Sequence, residues 1–464
     1  MHDSKLIHLF SIFSDEERRK LRKWVKSDFV NKNQDIIRFF EFIDTRSSLT
    51  ERTVSKEKAH EYLYPGTPYH DLRIRHLLWM TTEIVESFIV YNSVTQQPSL
   101  NRQLLTQYYA EKELYKFAGQ AVEEGVGEME KMNLRNATYH LQQYHIHALY
   151  YQIRSRNNRS NIFNLQEVID HATLFSIIET LKYACIIQSL QKISESKIEN
   201  HLLDATLALL DNPVFLKDTA VRIYYNIYLV VRDEDEDAFK LFINDLGANN
   251  DHFTSQDLKD LYLLAINFCV KKSNQNLQQY TRQAFELYIY AIEKGYLLEH
   301  HEISRFSFTN VVTLGIKMKE FAKTEKFIQD YAKCIDKEYR QNTVDFNNAK
   351  VYYSKDQHHK ALRILLTNEF KDVLWNLNAK YLTLKIYFEA RDINAFSVNL
   401  KAFKNYVKRK PNIGYHQTYF INVGKALTTL MDIYKKPEHY KDFQFDQSTP
   451  DIDWFNKAMK GIVE

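Results

Sequence analysis

Along most of this chain, apolar residues recur at the three- and four-residue spacing that places them on one face of an α-helix. Ser14 and Glu17 fit a capping box, in which hydroxyl and carboxylate each satisfy an orphan backbone N–H, so a helix is expected to start there. Leu21, Trp24 and Val25 give it an apolar stripe, while Arg18, Arg19, Lys20, Arg22 and Lys23 fill much of the remaining surface. Asn31-Lys32-Asn33 breaks the pattern. Ile36, Ile37, Phe40 and Phe42 begin a second helix, and a Ser/Thr-rich link from Thr45 to Thr53 leads to a short one ending at Tyr64. Pro65-Gly66-Thr67-Pro68 is the strongest turn signal in the chain. A long helix over Leu72 to Tyr91 follows and closes a first module near Gln97-Pro98. From Leu100 to about Ser155 the pattern is again helical, with a weak point at Gly125-Val126-Gly127, and Asn157 to Asn161 reads as a polar loop. Helices are expected over Leu165 to Ile193 and Ile198 to Leu210, the latter stopped by Asp211-Asn212-Pro213, since proline drives the preceding residue out of the αR region. After the apolar run Val221 to Val231, the acids from Asp233 to Asp237 suit the positive end of the next helix, Gly247 ends it, and Thr254 reads as an N-cap for Leu258 to Val270.

No stretch reads best as a strand, because the apolar runs are long or recur at 3.6 and the Asn-Gly and Asp-Gly hairpin turns are absent. Composition strengthens that expectation. Only 10 glycines and 7 prolines occur in 464 residues, so few positions accept positive φ or break a helix, and sheets joined by tight turns are not expected. The aromatic content of 14%, with 31 Tyr and 29 Phe, suits long helices that interlock through large rigid side chains. A formal charge of +3 with 26% charged residues describes neither a disordered chain nor a strongly basic nucleic-acid binder. Cys185, Cys269 and Cys334 are an odd number, far apart and without a CxxC pair, so a reducing compartment is expected. The apolar stretch Leu6 to Phe13 lacks a basic n-region and a small-residue cleavage site, and Ile223 to Val231 is too short to span a bilayer. These features imply no membrane association and a cytoplasmic location.

Internal repetition bears on how the helices assemble. Tyr353 and Tyr387 stand 34 residues apart, the same offset pairs Ala361 with Ala395, and Leu362 with Phe396, Ile364 with Val398 and Leu366 with Leu400 also match. A 34-residue period is that of the tetratricopeptide repeat, in which a small residue of the second helix lets the first pack closely. Degenerate earlier units run from Phe308 through Phe321 to Phe327 and around Ala284, with drifting spacing. The region resembles tetratricopeptide-type α-solenoids, with two departures: Thr383 stands where a small residue is usual, and neither unit ends in proline. The segments LRKWVKSDFVNKN (Leu21 to Asn33), YPGTPYHDLRIRH (Tyr64 to His76), NVVTLGIKMKEFAKTEKFIQD (Asn310 to Asp330) and KNYVKRK (Lys404 to Lys410) further resemble a family of bacterial helical-repeat proteins of uncharacterised activity. The resemblance implies an all-α fold, an α-solenoid of antiparallel helix pairs behind an N-terminal helical module. The expected divisions are residues 1–97, a middle helical-repeat region 98–270, a tetratricopeptide-like region 271–440 and a capping tail 441–464.

Chemical motifs are sparse. His140 and His147 share a helix face about 10 Å apart while His145 points elsewhere, and no HExxH occurs, so no metal site is expected. The pairs His300-His301 and His358-His359 read as solvated turn residues. Gly125-Val126-Gly127 lacks the preceding strand and third glycine of a dinucleotide site, and neither a Walker sequence nor GxSxG is present. Carboxylate pairs such as Glu123-Glu124 read as solvated faces. No cofactor and no enzymatic activity are therefore expected.

Two surfaces carry the functional expectation. In a tetratricopeptide-like stack the first helix of each pair lines a concave groove, which places Lys350, Tyr353, Lys380 and Tyr387 as candidate partner-binding residues, against the alternative that the tyrosines are core. Lys401, Lys404 and Lys408 lie along one helix face and suit phosphates or an acidic partner, although cations near a helix C-terminus also favour its dipole. The leading expectation is a scaffold that binds a protein or peptide in its groove. The alternative is a nucleic-acid-binding regulator using basic faces around Lys20 and Lys404.

Overall fold

The computed structural model describes residues 1–156, 162–191, 198–410, 416–440, 443–446 and 448–463. The polar loop expected at Asn157 to Asn161 and the helix end expected at Ile193 lie outside these residues. Among the described residues the chain forms 22 α-helices and one minimal antiparallel hairpin. It divides into two compact units, residues 1–133 with 138–173, and residues 134–137 with 174–464. None of the described helices is long and apolar enough to cross a membrane.

The first unit contains α1 (Lys5–Ile12), α2 (Asp15–Val25), α3 (Gln34–Asp44), α4 (Lys56–Leu63), α5 (Asp71–Thr95), α6 (Pro98–Glu111), α7 (Tyr115–Glu130) and most of α8 (Ala137–Ser155). The capping box forms at α2, where Glu17 N–H donates to Ser14 Oγ (3.3 Å) and Ser14 N–H donates to Glu17 Oε2 (2.8 Å). Between α4 and α5 the turn closes with Thr67 N–H on Tyr64 C=O (3.2 Å), and Gly66 takes φ 77° as the third residue of a type II turn requires. Helices α1 to α5 share one core in which Phe10, Phe39, Phe40 and Phe42 are fully buried. The Gly125-Val126-Gly127 sequence does not weaken a helix; it lies inside continuous α7. A Cβ at Gly125 would sit 2.5 Å from Ile146 Cδ1 and 3.0 Å from Arg102 Cβ, so the glycine is there for close packing.

The second unit takes α9 (Leu165–Gln191) from Leu174 onward, then α10 (Leu203–Leu210), α11 (Thr219–Asp233), α12 (Glu236–Ala248), α13 (Ser255–Asn274), α14 (Gln278–Glu293), α15 (Arg305–Lys317) and α16 (Phe321–Tyr331). It continues with α17 (Arg340–Ser354), α18 (His358–Thr367), α19 (Val373–Glu389), α20 (Ile393–Arg409), α21 (His416–Lys435) and α22 (Ile452–Val463). From α11 to α20 each odd-numbered helix packs on the next as an antiparallel pair, and α11 meets α13, α15 meets α17 and α17 meets α19. This is the α-solenoid stacking of helix pairs, and it extends beyond the two units that the 34-residue offset marks.

The pairs share a backbone device. Asn276, Lys319, Asp356 and Arg391, each just past the first helix of a pair, adopt φ of 65°, 58°, 57° and 59°. The following N–H bonds five residues back, Glu320 to Gly315 C=O (3.0 Å), Gln357 to Tyr352 C=O (2.9 Å) and Asp392 to Tyr387 C=O (3.0 Å). These are Schellman closures, which satisfy the last helical carbonyls while reversing the chain. A left-handed residue other than glycine costs about 1–2 kcal/mol, which the packed pair offsets. Because the four positions are 43, 37 and 35 residues apart, a single sequence period cannot register them all.

Ala361 is fully buried, as a small residue that lets the first helix pack closely must be, and Ala284 is fully buried too. In the last pair Phe396 is fully buried while Ala395 is only half-buried. The matched Leu366 and Leu400 also differ: Leu366 lies in the last turn of the 10-residue α18 and is 60% exposed, whereas Leu400 is in mid-course of the 17-residue α20 and is buried. The strand-free expectation needs one correction. Leu298–Glu299 and Glu302–Ile303 pair antiparallel, and His300 and His301 form their turn with φ of 50° and 66°. Such a turn needs two left-handed residues, and histidine tolerates that region better than most.

Candidate partner-binding surface

The four groove candidates do not converge. Lys350, half-buried on α17, donates to Thr313 Oγ1 of α15 (2.5 Å) and lies 5.9 Å from the Phe346 ring centroid. Burial pushes its pKa down to about 8. Lys380 faces α20, 5.6 Å from the Tyr406 ring, and lines a separate cavity of about 380 Å³ with Phe370, Asn376 and Thr383. Tyr387 packs against the hydrophobic cluster built by α19 to α22.

Tyr353 belongs to a network that ties α22 to α17 and α19. Its hydroxyl donates to Glu389 Oε1 (2.6 Å), the same oxygen that accepts Trp454 Nε1–H (2.7 Å). Burial first, then the Glu389 carboxylate, holds the Tyr353 pKa far above the ordinary phenol value. His358 stacks on the Tyr353 ring at 5.5 Å and places Nε2 3.4 Å from Glu389 Oε2, so this histidine is a packed helix residue and not a solvated turn. One turn before Glu389, Lys385 donates to Asp451 Oδ2 (2.8 Å), with Nζ 5.0, 5.4 and 5.6 Å from the Trp454, Tyr353 and Tyr381 rings. An ammonium against three aromatic faces is held by their quadrupoles as well as by the carboxylate. A cavity of about 330 Å³ adjoins this network.

The basic face has a different environment. Lys401, Lys404 and Lys408 are all exposed on α20. Across from them α21 presents Lys425, also exposed. Between the two helices runs a trough of about 280 Å³ with a floor of Phe403, Val407, Phe420 and Gly424, and Ile421, 40% exposed, on its rim. Gly424 deepens it: a Cβ there would meet Lys404 Cγ at 3.5 Å and Phe403 Cε1 at 3.7 Å, ordinary contact distances, so nothing in the packing demands a glycine. Lys404 donates to Thr428 Oγ1 (3.1 Å), and among the described residues none of these four lysines is in an ion pair.

Dipole compensation does not account for this arrangement. It acts within the last turn, which contains Lys408 and Arg409, whereas Lys401 and Lys404 lie well before it. The other basic segment is partly engaged: Arg18 Nη2 donates to Phe10 C=O (2.7 Å), Lys20 pairs with Glu16 (2.8 Å) and Arg22 with Asp44, while Lys23 is exposed. The sequence carries a further mark of this surface. No Asp or Glu occurs between Asp392 and Asp432, where the chain's average of 59 acids in 464 residues would place about five.

Three histidines come together in the first unit, His140 buried and His147 and His171 half-buried. His140 and His147 of α8 both reach His171 of α9, His140 through Nδ1···Nδ1 at 3.0 Å and His147 by ring stacking at 5.7 Å. Burial lowers the His147 pKa against the opposing pull of Glu167 and Glu130. His145 contacts the Tyr144 ring instead. Among the described residues no group of three His, Cys, Asp or Glu side chains is placed to hold a metal ion. Compared with known proteins, the chain matches no family model, no curated protein and no solved structure.

Proposed function

We propose that this chain is a non-enzymatic helical-repeat protein, tetratricopeptide-like in its C-terminal pairs, that binds a protein or peptide partner through α20 and α21. One observation carries the reading: exposed lysines without carboxylate partners surround an apolar trough, in a stretch of chain free of acids. Unpaired like charges repel and lower stability unless a partner neutralises them. The sharing of work between elements supports it too, because Tyr353, Glu389 and Trp454 are engaged in holding α22 in place.

The same run of cations favours nucleic acid as the second reading, since phosphates release counterions on meeting lysines. The test is a cross-linking capture from nuclease-treated native lysate with the full chain and with Lys404→Glu/Lys408→Glu. The proposed function predicts a protein captured by the first and lost with the second. Equal capture by both, or capture seen only when the nuclease is left out, contradicts it.

A further inference from the structure

We infer that the occupant of the α20–α21 trough is an amphipathic helix of a partner protein, acidic on one side and apolar on the next. This deepens the proposed function and rests on it. The lysine row sets the guest's charge pattern. Lys401, Lys404 and Lys408 follow the i, i+3, i+7 spacing of one helix face, a row of about 10 Å at 1.5 Å per residue. A guest helix lying alongside presents carboxylates at the same i, i+3 or i+4, i+7 spacing over the same length. Lys425 on the opposite wall closes the charged rim, so an acidic guest is gripped from both sides.

The floor sets the guest's apolar side. Beneath the lysine rims Phe403, Val407 and Phe420 back the trough from within the core, and the apolar surface a guest can reach is Ile421, 40% exposed, beside the shallow gap at Gly424 and the methylene stems of the lysines. Apolar area removed from water there contributes about 25 cal/mol per Å² before association costs. A nucleic acid fits the rim but not the floor. Single strands bind by stacking bases on exposed aromatic faces, whereas Phe403 and Phe420 are 0% and 1% exposed. A duplex backbone bridging the lysines would leave the apolar trough uncovered.

The experiment uses the full chain and a fluorescent synthetic peptide of about 20 residues, with Glu at i, i+3 and i+7 and Leu or Phe on the adjoining face. A peptide of the same composition, shuffled so that no apolar face forms, and a duplex DNA of similar length serve as competitors. Binding of the amphipathic peptide at low salt is expected, weakened about tenfold or more by shuffling, by Lys404→Glu/Lys408→Glu, and by Gly424→Leu, which fills the trough while leaving every charge. Ile421→Gln, a surface change, repeats the test of the apolar wall should Gly424→Leu disturb the helix. No binding, equal affinity for the shuffled peptide, preference for the DNA, or indifference to both apolar variants would overturn the inference. If lysate capture still depends on Lys404 and Lys408 while the peptide fails, the acidic-helix reading falls and the proposed function stands.

Discussion

Gly315→Ala tests the packing of the helix pairs through the sign of its effect. A Cβ built at Gly315 lies 2.1 Å from Thr324 Oγ1, 3.2 Å from Thr324 Cβ and 3.4 Å from Phe285 Cε2. Thr324 is fully buried on α16 and its hydroxyl donates to Glu320 C=O (2.9 Å), so it has no open space to move into. Turning the side chain does not relieve the contact at Cβ, and α15 must shift from α16. Overpacking of this kind costs about 1–3 kcal/mol, against about 1 kcal/mol gained by alanine over glycine in a helix. The variant is therefore expected to lose roughly 1 kcal/mol. Gly247 supplies the opposite case in the same unit: nothing lies within 4 Å of a Cβ there, and Gly247→Ala is expected to gain a few tenths of a kcal/mol in the last turn of α12. Urea unfolding followed by helical circular dichroism and by tryptophan emission, to which Trp375 and Trp454 of the second unit contribute beside Trp24 and Trp79 of the first, measures both. Adding Thr324→Ala removes the hydroxyl contact but keeps the Cβ contact at 3.2 Å, so Gly315→Ala is expected to cost less in the Thr324→Ala background than in the parent. Gly315→Ala as stable as the parent, or more so, would refute the close approach of α15 and α16.

The left-handed helix ends give the reverse prediction: Lys319→Gly and Asp356→Gly, both exposed positions, are expected to raise the urea midpoint by the equivalent of about 0.5–1 kcal/mol each. For Lys350 the folded pKa of about 8 lies below the ordinary 10.5, so the folded state resists protonation and stability rises as pH climbs between these values. Lys350→Met is accordingly expected to unfold at higher urea than the parent at pH 7, with the difference shrinking between pH 8 and 10.5; a constant difference would contradict the burial argument. Cys185 and Cys269 are buried, with thiols pushed up to about 12, whereas Cys334 is half-buried. Iodoacetamide at pH 8 is expected to alkylate Cys334 first in the native protein and the other two only on unfolding, which mass spectrometry of the peptides reads directly.

Local signals carried much of the fold. The caps at Ser14 and Thr254, the Pro65-Gly66 turn and the apolar stripes are written in residues close in sequence, and the structure builds helices on each. What stayed hidden was the regularity of the stack. Its turns use Asn276, Lys319, Asp356 and Arg391 where glycine would have announced a helix end, and the lengths between them vary. Gly125 misled for the complementary reason: its purpose is contact with Ile146 and Arg102, which its neighbours in sequence do not reveal. At the surface, the spacing of Lys401, Lys404 and Lys408 was legible because one helix carries all three. Lys425, Gly424 and Ile421 reach the trough from the next helix, and Trp454 meets Tyr353's partner Glu389 from a distant part of the chain. Periodicity shows which face of a helix is apolar, but it does not say which helix lies opposite.

Amide hydrogen exchange of the full chain, with and without the acidic amphipathic peptide, tests the central claim most directly. Protection gained along α20 and α21, and absent in Lys404→Glu/Lys408→Glu, is the predicted result. Protection centred on other helices, or none at saturating peptide, would contradict it.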